Sequence, residues 1–172
     1  NSPYSLHNIA TLYKEDTGDA YYATDDATVT IYTPTEGGFR TQTQGGWGSS
    51  ASGNNPGTYR DANFASTFPS GLVIGDATGY KAIFTTSASI ENFLPAGGTS
   101  GSLVQNYTNP QGTSAGVLAG QAVALTLSVG FDLYDPNFCT SSYNLKDLVI
   151  VTGIFKDWTV AEVLAEANRY LA

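Results

Sequence analysis

Cysteine and histidine occur once each in this chain, and those two scarcities remove most routes to a catalytic or metal-bound centre. The lone Cys139 has no intrachain disulfide partner, so packing and hydrogen bonds must hold the fold. Its neighbours Phe138 and Tyr143 point to a partly buried, inert thiol, with no basic residue close by in sequence to lower its pKa. The lone His7 lies in a polar N-terminal segment, and no Gly-x-Ser-x-Gly elbow is present, so a triad has neither base nor scaffold. Soft-ligand zinc, copper and iron sites, which want three or four such side chains, are excluded for the same reason. Walker-type and Gly-x-Gly-x-x-Gly loops are missing too, which leaves nucleotide cofactors nothing to dock on; the glycines read as turn formers.

Charge is also scarce. Charged residues make up 13% of the chain, about half the usual share, and Gly, Ser, Thr and Asn fill the positions that Lys and Glu normally take. That palette is common outside cells. The seven basic residues are scattered from Lys14 to Arg169 and the net charge is −8, so binding to nucleic acid or to anionic lipid headgroups is not expected. No stretch reads as the roughly 18 apolar residues of a membrane span, so no membrane insertion is expected. Asn1 to Tyr13 is too polar for a signal peptide, and export implies a leader already removed, with Asn1 as the processed end.

What is present suits a single core. Apolar residues reach 41% and aromatics 12%, with eleven Tyr, eight Phe and two Trp, and 172 residues exceed the roughly 70 to 80 below which one core struggles. Tyr21 to Tyr32 and Phe39 to Gln44 read as strands. The run QGGWGSSASGNNPG, Gln44 to Gly57, reads as a long loop. Asn55-Pro56 marks a helix start, with a helix through Tyr59 to Phe68. GLVIGD (Gly71 to Asp76) and YKAIFT (Tyr80 to Thr85) read as buried strands, and Ser87 as the cap of a short helix carrying Ile90, Phe93 and Leu94. Over Val117 to Leu133, strict alternation from Val123 to Leu133 says strand while Ala119, Ala122 and Ala124 favour helix. Thr159 and Glu162 have capping-box spacing, and Val160, Val163, Leu164, Ala167 and Leu171 form one helical face. The expectation is one α+β domain over 1–172: a β-rich, sandwich-like N-terminal part, then helices, ending in a capped helix at about 159–171. Residues 1–13 form an extended segment open to exchange with a neighbour.

Candidate sites are few. Trp47, between Gly46 and Gly48, offers a ring for stacking on a sugar, with Asn54, Asn55 and Tyr59 to bond its hydroxyls; the competing reading folds Trp47 back into the core. Asp132, Asp135 and Asn137 form the densest oxygen-ligand group for calcium, without the spacing or glycine of an EF-hand. No other cofactor is expected. Paired carboxylates (Asp16 with Asp19, Asp25 with Asp26, Asp132 with Asp135) leave a carboxylate hydrolase as an alternative. Asn106-Tyr107-Thr108 is a glycosylation sequon, which marks that loop as exposed.

The strings TQTQGGWG (Thr41 to Gly48), GNNPGTYRDANFASTFPSGLVIG (Gly53 to Gly75), LAGQAVALTLSVGFD (Leu118 to Asp132), NLKDLVI and WTVAEVLAEAN resemble a module of large secreted, cell-surface proteins of Bacteroidota. The resemblance covers Thr41 onward and brings no catalytic residues. It implies export, a place in a modular surface or matrix protein, and helix rather than strand for Val117 to Phe131. The expected role is non-enzymatic: an extracellular structural or adhesion module that assembles with copies of itself or other surface proteins. The alternative is a carbohydrate-binding module using an exposed Trp/Tyr platform on a polysaccharide.

Overall fold

The computed structural model describes residues 4–8, 27–31 and 38–172. The chain divides into two compact units, Asn1–Glu36 and Gly37–Ala172. In the first, β1 (Tyr4–Asn8) pairs antiparallel with β2 (Ala27–Ile31), in a register running from Tyr4 opposite Ile31 to Asn8 opposite Ala27. Part of the segment expected to reach for a neighbour is thus paired within its own chain.

The second unit is built on helices. Thr43 caps α1 (Gln44–Trp47) by accepting the Gly46 N–H. Asn55 caps α2 (Pro56–Thr67), whose first position is proline, where the missing N–H costs nothing. β3 (Leu72–Gly75) and β4 (Lys81–Phe84) form an antiparallel pair, with Leu72 opposite Phe84. α3 (Ser87–Phe93) is capped by Thr86, with Ser89 reciprocating, so the cap stands one residue before the expected Ser87. β5 (Tyr107–Thr108) joins β4 in parallel. α4 (Gly116–Tyr134) runs through the centre, and α5 (Val160–Leu171) closes the described chain with the Thr159–Glu162 capping box in place. Leu72, Ile74, Ala82 and Phe84 turn inward from the sheet and meet Val123, Leu127 and Phe131 of α4 in one core with Trp47, Phe64, Ile90 and Phe93.

This overturns the sandwich-like, β-rich expectation. Among the described residues 42% are helical and 9% lie in strands, and the one sheet of the larger unit has three short strands. Phe39 to Gln44 has no strand partner; it leads into α1. The alternation in α4 misleads because a period of two contains a period of four. Val123, Leu127 and Phe131 are one helical face and are buried, while Leu125 and Val129 are half-buried and Leu133 is exposed. α4 is also long and apolar enough to cross a membrane by length and composition, contrary to expectation, although half of it is buried within this fold as the core helix.

Candidate functional site

Trp47 is completely buried. Its Nε1–H donates to Ser128 Oγ at 3.1 Å, and its ring packs on Phe131 and Phe138 at 5.1 and 6.3 Å between centres. The small residues around it permit this: a Cβ on Gly48 would run into the Leu94 carbonyl, so only glycine lets α1 seat against the end of α3. Gln44 follows Trp47 inward, accepting the Ala96 N–H on Oε1 at 2.9 Å. The glycine-rich run that reads as a long loop is therefore partly an insertion into the core, and Trp47 presents no face to a ligand.

The other sugar-binding candidates share one surface, yet most of their polar atoms are committed. Asn55 Oδ1 accepts the N–H groups of Ser52 and Thr58 and the Thr58 hydroxyl, and its Nδ2 donates to the Ser50 carbonyl. Tyr59 donates its hydroxyl to Asp135 Oδ2 at 2.6 Å, and its ring lies between Phe131 and Phe138 on one side and the Arg40 guanidinium, 4.5 Å away. Burial, then the bond to Asp135, holds the Tyr59 phenol far above its ordinary range. Of these four candidates only Asn54 is exposed and without a hydrogen bond among the described residues.

The calcium candidates are likewise used for structure. Asp132 accepts the Cys139 thiol on Oδ1 at 3.1 Å and the Leu145 N–H on Oδ2 at 2.6 Å, fastening the following loop to the end of α4. Asp135 Oδ1 accepts the Asn137 N–H, and the bond from Tyr59, followed by that from the Asn137 backbone, holds its carboxyl below the usual range. Among the described residues no group of three or more His, Cys, Asp or Glu converges. Burial and the Asp132 contact raise the Cys139 thiol, which keeps it protonated and a poor nucleophile at neutral pH. Asn106 is exposed, with Oδ1 accepting the Lys81 N–H at 3.0 Å. Asp16, Asp19, Asp25 and Asp26 lie outside the described residues.

The most distinctive surface was not among those candidates. Leu118, Ala122 and Leu125 of α4, Val163, Leu164 and Ala167 of α5, and Phe155 line a groove of about 400 Å³. The apolar face of α5 is only half covered; Leu171 is its one buried residue. Beside the groove stands a hairpin bridged at Val149–Thr159, with the Asp157 and Ile150 backbones and those of Ile150 and Trp158 bonded across it. It carries Val151 at 75% and Ile154 at 90% exposure, and the partly exposed Trp158. Such a concentration of exposed large apolar side chains marks an interaction surface. The apolar run VIVTGIF beside the amphipathic helix was the available sequence signal.

No family model, curated protein or solved structure matches the chain.

Proposed function

We propose that this chain is a non-enzymatic extracellular structural module, a subunit of a surface fibre, matrix or adhesin that associates with copies of itself through the α4–α5 groove. The observation carrying this reading is a hole and a knob on adjacent parts of one face. The apolar groove borders a hairpin whose Val151 and Ile154 are left exposed among the described residues. A two-fold pair lets each copy place its hairpin in the other's groove, the self-complementary arrangement that a symmetric dimer requires. The low charge content and the resemblance to secreted surface modules support the extracellular setting.

Sedimentation and light scattering of the full chain test this directly. The wild type is expected to form dimers or larger species, more so as salt screens the repulsion between copies of net charge −8. Ile154→Asp, at a site too exposed to disturb folding, is expected to weaken that association at least about tenfold. A wild-type chain that stays monomeric at all salt concentrations, or an Ile154→Asp chain that associates undiminished, sinks the groove-mediated assembly.

A further inference from the structure

A second concavity lies on the opposite chemical footing, and the assembly reading makes no use of it. The Arg40 guanidinium carbon stands 4.5 Å from the centre of the Tyr59 ring and 4.9 Å from that of Phe138. Two aromatic faces therefore hold the cation without consuming its N–H donors. Among the described residues no carboxylate forms an ion pair with it; Asp135, the acid whose carboxyl feels its charge, is already bonded to Tyr59 and to the Asn137 backbone. In front of it opens a cleft of about 340 Å³ lined by Asn54, Thr58, Tyr59 and Asn63, a volume within the range of small-ligand sites. Asn63 donates Nδ2 to the Tyr59 carbonyl at 2.9 Å and keeps its Oδ1 for other use. Asn54 is wholly uncommitted among the described residues.

We propose that this cleft binds a carboxylate-bearing sugar, a uronic acid unit of an acidic polysaccharide. Arg40 takes the carboxylate through its fork of N–H groups, and Asn54 and Asn63 take ring hydroxyls. The fork matches a planar two-oxygen acceptor, which sets the charge of the ligand. Among the lining residues Ala62 is the one aliphatic side chain, and the free amide groups of Asn54 and Asn63 beside the cation favour a polyhydroxylated ligand over a peptide. Stacking on an aromatic platform plays no part, because Trp47 is buried and the Tyr59 ring is covered by Arg40 itself. The net charge of −8 opposes an approaching anion at long range, but physiological salt screens that field beyond roughly 8 Å and leaves the local cation to decide.

Calorimetric titration of the full chain with a galacturonate trisaccharide, a neutral galactose trisaccharide and acetate separates the possibilities. The acidic sugar is expected to bind at least about tenfold more tightly than either of the others, since a bond to a charged group is at stake. Arg40→Gln is expected to remove that preference and Arg40→Lys to retain part of it. Asn54→Ala, an exposed position that cannot unfold the domain, should weaken the acidic sugar a few-fold. Equal affinity for the neutral trisaccharide, acetate binding as tightly as the sugar acid, full affinity in Arg40→Gln, or no binding of the acidic trisaccharide at about 10 mM would each overturn the assignment.

Discussion

At the scale of single residues, the bond between Tyr59 and Asp135 ties α2 to the end of α4 and titrates at both of its ends. Asp135, with its carboxyl held low by the Tyr59 hydroxyl, contributes stability that is present above the ordinary aspartate range and lost as pH falls through its depressed folded value. Tyr59, with its phenol raised by burial and by Asp135, contributes stability that is present below the ordinary phenol range and lost as pH rises toward its elevated folded value. Tyr59→Phe keeps the ring under Arg40 and removes the hydroxyl. Chemical unfolding across pH is therefore expected to show a broad plateau for the wild type that flattens at both its acid and alkaline edges in Tyr59→Phe. Identical pH profiles for the two proteins would mean that the bond does not couple folding to either titration. The sequence placed Asn54, Asn55 and Tyr59 in one neighbourhood, and they do share a surface. What it hid was commitment: Asn55 works as a cap, Trp47 faces Ser128, and Arg40, an unremarkable basic residue in a polar run, becomes notable only when two distant aromatic rings lie beneath it.

Elements with local signals are where sequence and structure agree. Asn55-Pro56 does start α2, the Thr159–Glu162 box does start α5, and β3 and β4 fall within the apolar runs assigned to them, because caps and prolines act through neighbouring residues and need no tertiary partner. α1 and α4 had no such signal. α4 begins at Gly116 without a side-chain cap, and its alternating apolar positions were decided by what packs around it: β3, α5, α1 and α2. α1 is four residues long and exists because Trp47 and Gln44 find buried partners. Its seat is correspondingly sensitive. Gly48→Ala would force a methyl group into the Leu94 backbone, which cannot yield as a side chain can, and overpacking of this kind costs about 1–3 kcal/mol. Gly97→Ala, with open space around it, is the matched control. Thermal denaturation should show a clear loss of midpoint for the first and little change for the second; equal midpoints would mean that α1 is not wedged against α3 as described.

For the molecule as a whole, a two-fold contact through the groove closes on itself: once each hairpin sits in the partner's groove, both surfaces are used and growth stops at a dimer. A fibre or matrix needs a second, independent contact. The strand pair in Asn1–Glu36 offers one, because β1 and β2 form a two-stranded sheet in which both are edge strands among the described residues, and unpaired edges recruit strands from other chains. Two such sheets are also better able to support each other than either is alone, since an isolated pair of strands is marginal in water. The two contacts can be separated by mass. A chain lacking Asn1 to Tyr13 loses β1 and is expected to stop at dimers, while Ile154→Asp in the full chain retains only the strand contact. The combination is expected to be monomeric, and ordered polymers by electron microscopy should require both contacts intact. Polymers that persist without Asn1 to Tyr13 would remove the strand edge from the assembly and require a second contact on the Gly37–Ala172 unit itself.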